Sequence, residues 1–440
     1  MAGHAGTMLH DSFPTSSRMI GSDRSPIPQS VSPAPAVAVT PPPLVAPNEA
    51  GFDPARLARI GNVLNRDIAD GKIPGAVVGI VRKDKLVALD AYGYRDPRAG
   101  HPMTSDCIFN IASMTKPMTA VAALMLYEEG KLLLDDSLSK YLPKVGALGV
   151  GLMDDAAERV LETVAPVRPI MILDLMRHTC GLPYGNRGNT AIHRRFPPGS
   201  HAAAAAMNGA EFLDRLASAP LLHQPGRVWD YGFGLDVLGL VIEKISGQNL
   251  GQFLEARLFG PLGMQDTAFY VPHGKSGRYA KALPDDPLTG QPQTLPDLRK
   301  LMHFDCGGGG AVSTASDYLR FALMLLGKGE FAGTRILGRK TVEYMVSNQL
   351  APDVVNLIAE ADPTRAGYGF GLGVAVRTIA GITPMLGSVG EFNWPGMSGT
   401  NWWADPCEEL AVVFMSHAPG PIRWHYRRLI NALVYQAIVD

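Results

Sequence analysis

The stretch Ser113-Met114-Thr115-Lys116 combines residue types and a spacing that can do chemistry. A serine hydroxyl becomes a nucleophile only with a base in reach, and a lysine three residues further along a helical turn lies on the same face. Burial beside the positive end of a helix disfavours a charged amine, and a neutral amine can accept a proton. The competing account is a plain helix cap. A capping serine favours Glu or Gln three residues later, whereas a lysine there faces the positive end of the helix dipole. Spacing alone is weak, because Ser137-Leu138-Ser139-Lys140 repeats it next to the acidic Asp135-Asp136, where a surface position is expected. Nucleophile and cap both stay open for Ser113 on these grounds.

Tyr231 sits in Trp229-Asp230-Tyr231-Gly232-Phe233-Gly234, a turn bracketed by glycines ahead of an apolar helical run. Glycines allow unusual backbone attitudes, and a tyrosine near a cation can act as acid or base. Taken alone, a packed aromatic at a helix entrance explains it as well. Nearer the C-terminus, Phe392-Asn393-Trp394-Pro395-Gly396-Met397-Ser398-Gly399-Thr400 is a glycine-rich strand edge that can offer free backbone N–H groups to a developing oxyanion. Trp394, Trp402 and Trp403 could line an acyl pocket, although adjacent strand residues face opposite sides and the last two also suit a core. A Ser-His-Asp hydrolase would need a Gly-x-Ser-x-Gly elbow, and no such pentapeptide occurs. His178 and His417 are therefore expected to be structural or pocket-lining. Cys107, Cys180, Cys306 and Cys407 form no CxxC pair, and neither a HExxH helix nor an acidic calcium loop is present. No metal or other cofactor is expected, and the cysteines read as buried or idle thiols.

These residues need elements to hold them. The chain has 440 residues, 46% hydrophobic and 18% charged, enough for one large domain or two interleaved ones. Lys plus Arg is 40 against 41 for Asp plus Glu, so no global field gathers nucleic acid or an anionic membrane. No apolar stretch approaches the ~20 residues of a membrane span. The N-terminus lacks the basic start and apolar block of a secretory signal, which gives an expectation of a cytoplasmic protein. Residues 1–48, rich in Pro, Ser and Ala, are expected to be a flexible tail. Folding should begin at Phe52, with Asp53-Pro54 capping a helix that Gly71 stops. Residues 76–82 and 85–92 read as a hairpin closed at Lys83-Asp84. Residues 118–126 read as a helix buried all round, followed by alternating loops and helices at 172–177, 210–217, 235–245 and 315–326. Strands are expected again at 368–376, 400–404 and 410–416, with a closing helix over 422–438. The fold class is thus α+β: residues 49–112 and 331–440 are expected to form an α/β domain, with residues 113–330 inserted as a mainly helical domain.

In order, Ser113-Met114-Thr115-Lys116, the Tyr231-Gly232-Phe233 turn and Trp394-Pro395-Gly396-Met397-Ser398-Gly399-Thr400 resemble the three active-site boxes of the serine β-lactamase and penicillin-binding-protein superfamily. The chain is most similar to its class C-like branch of family VIII carboxylesterases. The resemblance runs from about Phe52 to the end and includes residues 178–185, 223–247, 259–269 and 307–326. It implies an antiparallel sheet flanked by helices and a site in the cleft between that domain and the helical one, with Ser113 as nucleophile, Lys116 as its proton-accepting partner and Tyr231 as the base that later activates water. It also implies an oxyanion hole from the backbone N–H groups of Ser113 and Met397, with Phe233, Trp394, Gly396 and Ser398 around the substrate.

Two departures from the class C β-lactamases matter. Phe233 replaces the Asn of their second box, and Trp394-Pro395-Gly396 replaces their Lys-Thr-Gly. Both changes remove polar partners of a β-lactam, so β-lactam and D-Ala-D-Ala recognition should weaken and an uncharged small-molecule ester with an apolar acyl group fits better. Pro395 also departs from the Trp-Gly-Gly form common among the esterases. The expected function is a serine carboxylesterase for short- to medium-chain esters. β-Lactamase, D-amino peptidase, acyltransferase and a non-enzymatic scaffold stand as alternatives.

Overall fold

The computed structural model describes residues 42–358 and 362–440. Eight strands form one sheet: β1 Gly75–Arg82, β2 Lys85–Asp96, β3 His101–Pro102, β4 Tyr368–Phe370, β5 Ala375–Arg377, β6 Phe392–Asn393, β7 Asn401–Asp405 and β8 Leu410–Met415. Their order is β4-β5-β6-β7-β8-β1-β2-β3, and every neighbouring pair is antiparallel. The earliest and latest strands of the chain thus meet at β1 and β8, where Val77 lies opposite Met415 and Arg82 opposite Leu410. The β1–β2 hairpin turns at Lys83 and Asp84, both with positive φ, as a two-residue turn of matching twist requires.

Every residue of β1 is buried, because helices cover both faces of the sheet. On one face Val78, Ile80, Val412 and Phe414 pack with Ile60 and Leu64 of α1 (Arg59–Ala69) and with Tyr426 and Ile430 of the closing helix (Ile422–Tyr435). On the other, Val77, Val81, Val413 and Met415 join Trp402 and the buried residues of helix Ala315–Leu326. A Cβ on Gly79 would stand 2.6 Å from Leu319 Cδ1, so glycine lets that helix seat closely on β1. The helix lies in the span assigned above to the helical domain and packs on the sheet. Trp402 and Trp403 face opposite cores, as the period of two requires, and neither lines a cleft.

Helix Thr115–Glu128 is buried along nearly its whole length, and its low amphipathicity follows from being enclosed on all sides. Helix Gly234–Ser246 crosses beside it.

Three expectations change. Residues 42–48 of the expected tail are engaged: Val45 N–H donates to Leu86 O at 3.0 Å, Leu86 N–H to Pro43 O at 3.2 Å, and Pro47–Ala50 form a short 3-10 helix. The remainder of the tail, 1–41, lies outside the described residues. The run 368–376 is two strands, because Gly373, at φ 80°, turns the chain between them. A hairpin of Val150–Met153 and Val160–Val164 stands where only loops and helices were expected. Its outward Leu152 and Leu161 are exposed, which blurred the alternation of apolar and polar residues. All four cysteines are free thiols, with Cys107, Cys180 and Cys306 buried and Cys407 exposed. Among the described residues no helix is long and apolar enough to cross a membrane.

Candidate active site

Ser113 sits in a 3-10 turn, Ala112–Met114, that feeds helix Thr115–Glu128. The turn is held from several directions. Ala112, at the strained φ of 44°, donates its N–H to Asn110 Oδ1 at 2.9 Å, Met114 N–H donates to Ile111 O at 3.0 Å, and Tyr318 O–H donates to Met114 O at 2.8 Å. Asn110 N–H in turn donates to His417 Nε2 at 3.0 Å. His417 is therefore a strut beneath the turn. Its other nitrogen meets Ala280 O at 3.0 Å, and burial lowers its pKa to about 4.

The Ser113 hydroxyl does not cap the helix. Among the described residues its hydrogen-bond partners are Tyr231, whose O–H donates to Ser113 Oγ at 2.6 Å, and Lys116, whose Nζ donates to it at 3.3 Å. Lys116 is fully buried. It also donates to Tyr184 OH at 3.1 Å and Gly308 O at 2.5 Å, and three acceptors match the three donors of an ammonium group. Tyr231 accepts from Trp394 Nε1–H at 3.2 Å, so its phenolic oxygen accepts one hydrogen bond while donating another to Ser113. An oxygen in that position can pass a proton to or from the serine hydroxyl.

Behind Lys116 lies a buried polar wall that the sequence motifs did not announce. Tyr184 OH is 2.9 Å from Ser200 Oγ and donates to Asp236 Oδ2 at 3.3 Å, Ser200 O–H donates to the same oxygen at 2.9 Å, and Gly308 N–H donates to Asp236 Oδ1 at 2.9 Å. Burial raises the Asp236 carboxyl above the usual range, while the charge of Lys116 and these donors pull it down. Burial and the neighbouring Asp236 push the Tyr184 phenol well above its ordinary value. A readable signal existed for Asp236, the only acid in the otherwise apolar run 234–242. Tyr184 and Ser200 had none, because they meet Lys116 and Asp236 only in three dimensions.

The third segment docks on the backbone just before Ser113. Ser398 O–H donates to Asn110 O at 2.5 Å, Thr400 O–H to Ile111 O at 3.4 Å, and a Cβ on Gly396 would stand 2.5 Å from Ile111 O. Gly396 N–H donates to Thr400 O at 2.9 Å, which closes the turn and leaves Met397 at its tip, 51% exposed. The N–H groups of Ser113 and Met397 both lack an acceptor among the described residues, and two free donors are what a developing oxyanion needs. Pro395 interrupts no pairing, since β6 ends at Asn393.

Two expected pocket residues prove to be something else. Phe233 is fully buried behind Tyr184, at 4.6 Å between ring centroids, and packs on Phe212 at 5.2 Å. Ser398 is buried as the clip just described. Trp394 is nearly buried, its ring tilted against Tyr231 at 5.3 Å and edge-on to Phe370 at 5.1 Å. His178, at φ 58°, wedges its ring 4.7 Å from that of Tyr231, and neither ring nitrogen has a hydrogen-bond partner among the described residues. Burial drives its pKa well below 6.5, so it is a neutral packing group.

The beta-lactamase family description matches residues 60–436. An uncharacterized protein of Mycobacterium tuberculosis is 38% identical over 80% of this chain and 88% of its own length. Esterase EstB of Burkholderia gladioli is 28% identical over 84% of this chain and 93% of its own. Among solved structures, EstCE1, described as a hydrolase with promiscuous acyltransferase activity, superposes with a TM-score of 0.71 at 27% identity, covering 87% of this chain and 99% of that one. With the matched span enclosing all three segments, the chain belongs to the beta-lactamase family and is a serine hydrolase of its class C-like and penicillin-binding-protein-like superfamily.

Proposed function

We propose that the protein is a serine carboxylesterase of the family VIII type, hydrolysing short- to medium-chain acyl esters through an acyl-serine intermediate. The observation that carries this reading is the shared contact of Ser113 Oγ with Tyr231 OH at 2.6 Å and Lys116 Nζ at 3.3 Å. In the first step Ser113 Oγ bonds to the ester carbonyl carbon and its proton passes through the Tyr231–Lys116 pair. Met397 N–H and Ser113 N–H hold the oxyanion. The bond to the alkoxy oxygen then breaks, and that oxygen takes the proton and leaves as the alcohol. Water follows: Tyr231 accepts one of its protons, the hydroxyl attacks the acyl carbon, and the proton returns to Ser113 Oγ as the acid departs.

Ester rather than β-lactam specificity is supported by what stands at the second and third boxes. Phe233 is buried and Trp394 spends its N–H on Tyr231, so neither offers the amide or cation that would bind a β-lactam. The esterase among the relatives points the same way. A second reading, acyl transfer to an alcohol in place of water, is favoured by the described activity of EstCE1.

The deciding measurement is the initial rate of p-nitrophenyl butyrate hydrolysis by the native protein and by Ser113→Ala at neutral pH, with acylated Ser113 sought by mass spectrometry after brief exposure. Turnover and an adduct in the native protein alone are expected. Equal rates in the two proteins would end the proposal.

A further inference from the structure

Tyr184 and Arg187 stand three positions apart in a tight turn, Gly185–Arg187 being a 3-10 helix with Tyr184 as its N-cap. Tyr184 is extended, at φ −76° and ψ 135°, and reaches Lys116, while the 3-10 turn that follows it carries Arg187 to the Tyr231 ring. The backbone fixes it there: Gly185 N–H donates to Pro197 O at 2.8 Å, Arg187 N–H to Tyr184 O at 3.1 Å, and a Cβ on Gly185 would stand 2.4 Å from Phe196 O. As a result the Arg187 guanidinium lies 5.6 Å from the centroid of the Tyr231 ring, one side chain away from Ser113 Oγ.

What distinguishes Arg187 is that its charge is unspent. Lys116, the other cation on that ring at 4.5 Å, is buried and gives its donors to Gly308, Tyr184 and Ser113. Arg187 is exposed and has neither an ion pair nor a side-chain hydrogen bond among the described residues. Its charge also acts on buried neighbours, helping to hold both His178 and His193 below their ordinary pKa. A guanidinium presents a planar fork that matches a carboxylate in bidentate fashion. Stacking on an aromatic face leaves the N–H groups along the edge of that fork free.

We propose that Arg187 is a specificity-determining residue that binds an ionised carboxylate on the substrate, so that the preferred esters carry a second, free carboxyl group. The proposal rests on the esterase reading and deepens it. The cation missing at Trp394 is supplied from a different element, on the Tyr231 side of the nucleophile. The carboxylate can belong to the acyl part, as in a hemiester of a dicarboxylic acid, or to the alcohol part, as in an acylated hydroxy acid.

The test compares kcat/KM for two matched pairs, followed by proton release. Monoethyl adipate against ethyl hexanoate places the charge on the acyl side. The butyrate ester of γ-hydroxybutyric acid against butyl butyrate places it on the alcohol side. In the native protein one charged ester is expected to exceed its neutral partner by about tenfold, the scale of a charge-assisted hydrogen bond discounted for exposure. The advantage should lie in KM and shrink as salt is raised. Arg187→Gln should remove it, Arg187→Lys should retain part of it, and Arg187→Glu should invert it. Equal rates within both pairs would overturn the proposal and leave the esterase reading standing. A uniform fall of charged and neutral esters in Arg187→Gln would also overturn it, since the guanidinium would then only support the Tyr231 ring. If no ester is turned over, the esterase reading fails. Calorimetry of monoethyl adipate on Ser113→Ala, with and without Arg187→Gln, then reads carboxylate binding by itself, and equal affinity would overturn the proposal.

Discussion

Lys116 is fully buried and divides its donors among Gly308 O, Tyr184 OH and Ser113 Oγ, whereas Lys140, three residues after Ser137, leaves 55% of its side chain exposed and pairs with Asp136 at 2.8 Å. The two serines diverge in the same way. Ser137 Oγ accepts the Ser139 N–H at 3.3 Å and caps a 3-10 turn, while Ser113 Oγ caps nothing and meets Tyr231, 118 positions away in the chain. Identical residue types at identical spacing therefore yield an ordinary turn in one place and a candidate reaction centre in the other. The spacing brings serine and lysine together on one face. What the pair can do is set by groups arriving from elsewhere: Tyr231, Tyr184, Asp236 behind it, and the turn at Met397.

The largest expected effect removes the long-range partner of the first pair. Tyr231→Phe keeps the ring packing and loses the hydroxyl, and kcat for p-nitrophenyl butyrate should fall about 10³-fold with little change in melting temperature, as expected for loss of a general acid–base group. If most of the activity survived, the first pair would differ from the second only in burial.

Next comes the wall behind Lys116, which Ser137–Lys140 lacks. Asp236→Asn keeps the volume but removes the negative charge that faces Lys116 through Tyr184 and Ser200. Stability should drop by about 2 kcal/mol in urea unfolding and kcat/KM by about tenfold, because a buried network would be left partly unsatisfied. An unchanged rate would reduce the wall to packing.

The strut under Ser113 has a pH signature. His417 has its pKa lowered to about 4 by burial, against 6.5 when unfolded. Between these values the unfolded chain binds a proton that the folded one does not, so stability falls as pH drops from about 6.5 to about 4. The share due to His417 is at most about 3 kcal/mol. His417→Gln should flatten the unfolding free energy against pH over that window, and an unaltered slope would show that His201, also lowered to about 4, and the other buried histidines carry it.

The smallest effect lies at the second pair. Ser137→Ala should cost about 0.5–1 kcal/mol, the worth of a cap, with esterase activity intact. Loss of activity there would break the comparison from the other side.

Much of the fold was legible because it follows from local rules. Lys83-Asp84 marked the hairpin, Asp53-Pro54 the first helix start, and the unrelieved apolar run after Lys116 a helix enclosed on all sides. Legibility failed where an element has one exposed face, as at Leu152 and Leu161, or where a glycine splits a run, as at Gly373. It also failed at Phe233, whose place in a motif suggested the cleft and whose helix turns it inward to Phe212. Arg187 was invisible, since an arginine in a polar loop carries no periodic signal.

By itself the sequence determined which residues could react and which local turns would hold them: Ser113 ahead of a buried helix, Tyr231 between glycines, and a glycine-rich edge at Gly396. Only the tertiary structure decided that Tyr231 stands 2.6 Å from Ser113 although 118 positions separate them, that Asp236 faces Lys116 through Tyr184 and Ser200, and that Arg187 lies over the Tyr231 ring with its charge unspent. The reason is physical. Spacing along a chain dictates neighbours over one helical turn or one strand pair, whereas a reaction site is assembled from groups that meet only when separate elements bury their apolar faces against one another.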